Sequence, residues 1–366
     1  MVASIKNYFT CANSSRGFYN FFDSNLEGIN RIYILKGGPG TGKSTLMKKM
    51  GAHFYDLGYS IEFIRCSSDV TSLDGVIIPD LSVAIVDGTA PHVIEPKAPG
   101  AIEEYVNLGL AWDSDLLTPH KDEILTLKKQ IDACYQTLYT AYAEALTIHD
   151  EWEKIYIDAM NFDLAPAFRH FICQTLLNVE PTHHPSTIKH RFFGASTPSG
   201  PVDYIQDLTE SLHKRYFIKG RPGTGKSTLL KQIAQTGESL GYDIEIYHCA
   251  FDPESLDMVL IPELSLCFFD STAPHEYFPS LEHDEVIDMY AALITPGTDE
   301  KYEKELSEIA TRYKETVAKG TEALKEAKKL HDELESYYIE AVNFDLIQAI
   351  YVQLKHNIEL LARKND

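Results

Sequence analysis

The chain has 366 residues, 44% of them hydrophobic, and a formal charge of −21. This apolar content suffices for two packed cores, whereas the negative charge argues against nucleic acid as a partner, because phosphates are repelled by such a field. Six cysteines form no C-x-x-C pair and no apolar run reaches the ~20 residues of a membrane span, so we expect a cytoplasmic protein with reduced thiols and no membrane partner.

The first informative segment is residues 33–45, YILKGGPGTGKST, which holds a complete G-x-x-x-x-G-K-S loop between an apolar strand at 31–36 and a helix predicted at 44–57. Glycines let successive N–H groups point at phosphate oxygens, and the helix adds its free N–H groups and the positive end of its dipole. Lys43 is expected to reach the β- and γ-phosphates, and the Ser44 hydroxyl to bind Mg²⁺. The predicted phosphate-binding residues are Gly37, Gly38, Pro39, Gly40, Thr41, Gly42, Lys43, Ser44 and Thr45.

Two strands are predicted after this helix, at 60–66 and at 82–87, and the second is a continuous apolar run that ends in Asp87. A carboxylate at the carboxyl end of a buried strand lies beside the phosphate loop in this architecture. We therefore predict that Asp87 holds Mg²⁺ together with Ser44. The alternative is that Asp87 only caps the following turn.

A Thr-Ala-Pro-His segment, residues 89–92, follows directly. It lies beyond the carboxyl ends of the strands, where open α/β sheets place their ligands. His92 is a candidate to sense the γ-phosphate, position water or act as a base. The alternative is a histidine that fixes a turn by hydrogen-bonding a loop carbonyl.

A long amphipathic helix is predicted at about 120–160, with apolar residues at a spacing of three and four and no proline. Such a helical arm overhangs a domain of this size, and its apolar seam needs cover. We expect it to pair with a second arm, and a protein partner is the alternative occupant; a core helix with a bend is the third interpretation. His149, Asp150 and Glu151 on the arm are interpreted as solvated charge.

The whole pattern recurs 183 residues later, with residues 216–228 reading YFIKGRPGTGKST. Asp87 falls on Asp270, His92 on His275, and a second arm is predicted at about 300–342. The Asn-Phe-Asp triplets at 161 and 343, expected to cap the next helix, align at 182. Two domains, 1–183 and 184–366, follow from this repeat. The second loop consists of Gly220, Arg221, Pro222, Gly223, Thr224, Gly225, Lys226, Ser227 and Thr228, with Ser227 and Asp270 as its predicted Mg²⁺ ligands.

The loops and strand-end aspartates resemble those of the P-loop NTPase superfamily over the first ~100 residues of each half, and the tandem layout resembles uncharacterised bacterial tandem P-loop ATPases or nucleotide-kinase-like proteins. The resemblance implies an α/β fold of two tandem P-loop NTPase domains, each a parallel sheet flanked by helices with a long arm, and it implies ATP and Mg²⁺ as cofactors. Asp87 is followed by Gly-Thr and Asp270 by Ser-Thr, so neither half has the glutamate that activates water in the ring-forming and RecA-like ATPases. No N-K-x-D guanine motif occurs, which favours ATP over GTP.

The expected function is ATP hydrolysis at two Mg²⁺-dependent sites, with Lys43 and Lys226, Asp87 and Asp270, and His92 and His275 as the candidate catalytic residues. One alternative is a kinase for a nucleotide or another small molecule. The other is a nucleotide-gated switch in which the arms act on a protein partner. Arg16, upstream of the first loop, is a candidate charge-stabilising arginine for the other half, and Arg221 is a candidate to touch a phosphate or reach across to the other half.

Overall fold

The computed structural model describes residues 3–365 and contains two closely similar successions of elements. The first half comprises β1 Ile5–Tyr8, β2 Cys11–Ser14, β3 Gly17–Asn20, α1 Phe22–Leu26, β4 Arg31–Lys36, α2 Lys43–Asp56, β5 Ile61–Arg65, β6 Leu73–Ile78, β7 Val83–Asp87, β8 Glu103–Asn107, α3 Ser114–Leu117, α4 Lys121–Asp158 and α5 Ala165–Leu176. The second half comprises β9 Ile188–Arg191, β10 Gly194–Thr197, β11 Gly200–Asp203, α6 Ile205–Thr209, β12 Lys214–Lys219, α7 Lys226–Ser239, β13 Ile244–His248, β14 Leu256–Ile261, β15 Leu266–Asp270, β16 Glu285–Asp288, α8 Met289–Leu293, α9 Thr298–Lys301, α10 Glu303–Ala341 and α11 Phe344–Asn365.

Each half builds a six-stranded mixed sheet flanked by helices, in the order β1-β5-β6-β7-β4-β8 and, for the second, β16-β12-β15-β14-β13-β9. The expectation of a parallel sheet is wrong for one strand in each half. Strand β6 runs antiparallel to β5 and β7, and β14 runs antiparallel to β13 and β15. A short turn connects β6 to β7, so the chain reverses directly, whereas a parallel neighbour needs a long crossover. The remaining pairs within the two six-stranded sheets, including β4 with β7, are parallel.

The two sheets face each other through a shared apolar layer. Ile34 and Val86 from the first half pack in one cluster with Phe217 and Phe269 from the second. Near the pseudo-two-fold axis, the backbones of Phe9 and Phe192 exchange two hydrogen bonds of 2.9 and 2.8 Å. Burial of large apolar side chains stabilises by roughly 1.5–3 kcal/mol each, so this layer joins the halves firmly.

A buried arginine adds an ionic contact to this junction. Arg191 lies 2.9 Å from Glu62 and 3.2 Å from Glu245, with its guanidinium over the Tyr8 ring. Burial alone raises the pKa of Glu245, but Arg191 and Lys6 outweigh it and lower that pKa to about 2. The two carboxylates come from different halves, so the arginine bridges them.

The two arms pair along their length, as expected from their apolar seams. The arms are α4 and α10, with 38 and 39 residues, and each is about 57 Å long at the helical rise. They run antiparallel, because Tyr142 packs with Leu324 near the middle while Ile155 packs with Ile309 further along. Gly320 faces the Tyr142 ring, where a Cβ atom would lie 2.4 Å from a ring carbon. No helix in residues 3–365 combines the length and apolarity needed to cross a membrane.

The helix after each arm packs on the core of the opposite half. Helix α5 contributes Ala165 and Cys173 to the cluster around α7, and α11 contributes Ile347, Leu354 and Ile358 to the cluster around α2. The repeat divides the sequence at 183/184, yet each hydrophobic core draws on both sides of that boundary. The Asn-Phe-Asp triplets begin these exchanged helices, and Asn161 and Asn343 accept N–H groups of the first turn as expected.

Candidate functional site

The first glycine-rich loop connects β4 to α2. Gly40 and Gly42 have φ of +68° and +79°, a left-handed conformation that favours glycine. The Thr41 hydroxyl donates to the Gly38 carbonyl at 2.9 Å and fixes the curve from inside. Because Gly42 ends the loop immediately before Lys43, the first amides of α2 have no helical partner and are available to an anion.

The second loop repeats this conformation between β12 and α7. Gly223 and Gly225 have φ of +76° and +85°, and the Thr224 hydroxyl donates to the Arg221 carbonyl at 2.8 Å. The change from Gly38 to Arg221 therefore leaves the curve of the loop unaltered.

The structure brings each loop lysine to its strand-end aspartate. Lys43 Nζ lies 3.6 Å from Asp87 Oδ2 and Lys226 Nζ lies 3.5 Å from Asp270 Oδ2. Both lysines also fold back onto their loops, where Lys43 donates to the carbonyls of Gly37 and Gly38 at 2.9 Å. A lysine held this way is close to the loop amides and can redirect its ammonium group towards a phosphate.

The aspartates and serines also make local hydrogen bonds. Asp87 Oδ1 accepts from the Thr89 amide at 2.9 Å and from its hydroxyl at 2.6 Å, so this oxygen caps the turn while Oδ2 faces Lys43. Ser44 Oγ accepts from the Leu73 amide at 3.1 Å, which leaves its hydroxyl proton and remaining lone pair for a ligand. Asp270 and Ser227 repeat these contacts. The two interpretations of Asp87, cap and ligand, are thus compatible.

Each half has a further carboxylate near this pair, Asp74 in the first half and Asp257 in the second, for which the sequence predicted no role. Burial raises the pKa of Asp74, with Asp87 adding to the rise. Burial, with Asp270 as a further cause, raises the pKa of Asp257 to about 6. These two aspartates could have been found from the sequence, because each ends a Ser-Leu-Asp triplet that recurs at the same 183-residue offset as the loops.

Each of the repeated histidines lies beside a carboxylate, although the two carboxylates are not equivalent in the repeat. His92 Nε2 lies 3.4 Å from Asp74 Oδ2. His275 Nδ1 bonds Asp203 Oδ2 at 2.9 Å; burial lowers the pKa of His275, but this bond and the nearby carboxylates outweigh it and raise that pKa. The histidines therefore lie behind the strand-end aspartates.

Each loop is covered by the arm of the opposite half. Gly40 N–H donates to Glu335 Oε1 on α10 at 3.0 Å, and a Cβ at Gly40 would come within 2.9 Å of Ile339. At the second loop, a Cβ at Gly223 would lie 2.6 Å from the carbonyl oxygen of Glu153 on α4. These glycines permit contact with an incoming helix as well as the curve of the loop.

The interpretation of the arm charges as merely solvated is therefore incomplete. His149 is half-buried, and Glu153 and Glu335, one turn beyond the two histidines, contact the loops. The His-x-x-x-Glu spacing recurs at an offset of 182 in His149/Glu153 and His331/Glu335. That repetition was the signal for these residues, but only the folded chain shows which loop each arm meets.

Each half also supplies a cation to the other half. Lys328 on α10 lies 3.5 Å from Asp69, and Arg16 from the β2–β3 turn bonds Asp252 at 2.7 Å. Arg16 thus reaches the other half, where it pairs with a carboxylate; its role as a charge-stabilising arginine stays a prediction. Arg221 pairs with Asp299 of its own half, and that carboxylate also accepts the Tyr156 hydroxyl from the opposite arm.

Comparison with protein-family models, with curated protein sequences and with solved structures gave no match.

Proposed function

We propose that the chain binds Mg–ATP at both glycine-rich loops and hydrolyses it, with the paired arms coupling the two sites. The observation that carries this proposal is the repeated constellation of an open amide loop, a lysine at the start of a helix and an aspartate 3.5–3.6 Å from the lysine ammonium. Two copies of one geometry, each from a separate stretch of sequence, favour nucleotide binding over an incidental turn.

The residues divide the chemistry between them. The loop amides and Lys43 or Lys226 would stabilise negative charge on the transferring phosphoryl group, an effect for which one donor is typically worth about 10²–10³ in rate. Ser44 with Asp87, and Ser227 with Asp270, are hard oxygen donors that fit Mg²⁺. When bound, Mg²⁺ supplies further charge neutralisation at the phosphates.

Hydrolysis also needs a group that orients or deprotonates water, and neither half has a glutamate after its strand-end aspartate. At the first loop, the arm of the other half supplies a carboxylate, because Glu335 accepts the Gly40 amide. Such a carboxylate, together with His331 one turn earlier, is suited to hold a water once nucleotide fills the loop. Each site then depends on both halves.

The test is nucleotide stoichiometry together with turnover of ATP alone. The intact chain should bind two Mg–ATP per chain, and Lys43→Ala or Lys226→Ala should each bind one. Steady phosphate release without any acceptor supports hydrolysis, whereas release only with a small acceptor would identify a kinase. A wild-type stoichiometry of one would contradict the two-site proposal.

The contact between Gly40 and Glu335 favours a second candidate, a nucleotide-gated switch. A carboxylate that holds a loop amide competes with a phosphate for the same donor, so ATP binding would displace the arm. Tight binding of two nucleotides with no turnover would favour this switch over an ATPase.

A further inference from the structure

The two halves differ at one buried corner behind the loops. Asp74 and His92 of the first half correspond to Asp257 and His275 of the second. The third residue at this corner is Cys11 in the first half, where the second half has Gly194 at the same offset. Both halves thus have a carboxylate and an imidazole at this corner. Only the first half has a thiol there, because glycine has no side chain.

In the second half, this corner is closed by protein hydrogen bonds. His275 Nδ1 bonds Asp203 on β11, and the Tyr277 hydroxyl donates to the other oxygen of the same carboxylate at 2.7 Å. The first half has Asn20, an exposed residue, where the second has Asp203. His92 therefore has no equivalent of the Asp203 carboxylate that orients its counterpart.

In the first half, the same corner contains unsatisfied polar atoms. Asp74 Oδ2 and His92 Nδ1 are buried and have no hydrogen-bond partner among the described residues; the 3.4 Å contact of Asp74 Oδ2 with His92 Nε2 does not have hydrogen-bond geometry. Cys11 is fully buried, Asp74 is 3% exposed and the His92 side chain is 10% exposed. Unpaired buried polar atoms are costly, which indicates that something else satisfies them.

The Cys11 thiol is placed to contact the same ligand as Asp74 and His92. A Cβ built on Gly194 would point at the His275 ring, 3.2 Å from Cε1, so a side chain at this position faces the histidine. In the first half, one ligand atom each from Cys11, Asp74 and His92 lies within 4.8 Å of the other two. Three donors from separate segments thus converge on one point.

We propose that Cys11, Asp74 and His92 bind a thiophilic divalent cation, with Zn²⁺ as the best match. A sulfur, a nitrogen and an oxygen donor suit zinc, whereas Mg²⁺ prefers oxygen ligands only. The cation would tie the β2–β3 hairpin to β6 and to the segment after β7, directly behind the first loop. The second half, with glycine at the corresponding position, would bind none.

Cobalt substitution of the full chain tests this site independently of nucleotide binding. After removal of metal with a chelator, Co²⁺ should give a thiolate-to-cobalt charge-transfer band and tetrahedral ligand-field bands that saturate at one Co²⁺ per chain and disappear on addition of Zn²⁺. Cys11→Gly, the residue of the second half, should abolish the charge-transfer band. It should also weaken Zn²⁺ binding by more than the roughly 10–100-fold that loss of an outer-shell partner costs. Cys134→Ser, on the arm, is the matched control and should leave the spectrum unchanged.

Two results would overturn the proposal. One is a wild-type protein without the charge-transfer band, which decides the matter even if Cys11→Gly fails to fold. The other is a folded Cys11→Gly variant that keeps the band.

Discussion

Replacement of Glu335 by alanine should strengthen nucleotide binding at the first site. Its carboxylate accepts the Gly40 N–H at 3.0 Å, so an incoming phosphate must break this bond and approach a negative charge. A hydrogen bond to a charged group contributes about 1.5–3 kcal/mol, and partial exposure reduces the value here to about 1–2 kcal/mol. The affinity of the first site should therefore rise by a factor of roughly 5–30.

The measurement is calorimetric titration with a Mg²⁺ complex of a non-hydrolysable ATP analogue in a Lys226→Ala background, so that only the first site reports. Glu153→Ala in a Lys43→Ala background is the matched control at the second site. Glu153 meets Gly223 through its backbone, so its truncation should change affinity by less than about threefold. Unchanged or weaker binding in the Glu335→Ala protein would refute the idea that the arm competes with phosphate.

Three further outcomes are expected. Gly320→Leu should lower the unfolding temperature, because a side chain there overlaps the Tyr142 ring and overpacking costs about 1–3 kcal/mol. Lys319→Leu, on the exposed face of the same helix, is the control and should leave the unfolding temperature unchanged. An equal decrease in both variants would argue against close pairing of the arms. Asp257→Asn should stabilise the protein at pH 8 by up to about 3 kcal/mol and little at pH 4, as chemical denaturation at both pH values can measure. The native pKa of about 6 lies above the unfolded value, so the stability that this carboxyl contributes falls as pH rises from about 4 to 6, and a gain equal at both pH values would contradict this cause. Lys43→Ala should remove more ATP turnover than Lys226→Ala, because the first loop keeps Gly38 where the second has an arginine tied to another carboxylate; the reverse order in a phosphate-release assay would show this ranking to be wrong.

The elements nearest the loops were accessible from sequence because each has a local pattern. The strands that flank the first loop, the helix that begins at Lys43 and both arms lie within a few residues of their predicted bounds. The sequence pattern did not predict strand β6, because Asp74 and Gly75 interrupt its apolar run. Both residues are buried, which the local sequence pattern does not indicate.

The sequence pattern does not predict which parts of the two halves contact each other. The apolar seams predicted that the arms pair, but the seam does not state that Glu335 reaches the loop of the first half. Similarly, the amphipathic pattern of α11 predicts one buried face, but it does not indicate which of the two cores covers that face. A repeat doubles every local signal, yet it leaves open whether equivalent parts associate within a copy or between copies.

The exchange of α5 and α11 has a consequence for biosynthesis. Helix α11 closes the core around α2, but it is translated after all the other elements of the second half. Until α11 emerges, the apolar face around Met47 and Met50 stays exposed, so the first half cannot complete its core. This differs from the usual order, in which an N-terminal domain folds first. The second core, whose exchanged helix α5 precedes it in the chain, can close as soon as its own strands emerge. The second half is thus expected to mature before the first half, and the newborn chain to depend on protection of its first half until α11 has emerged.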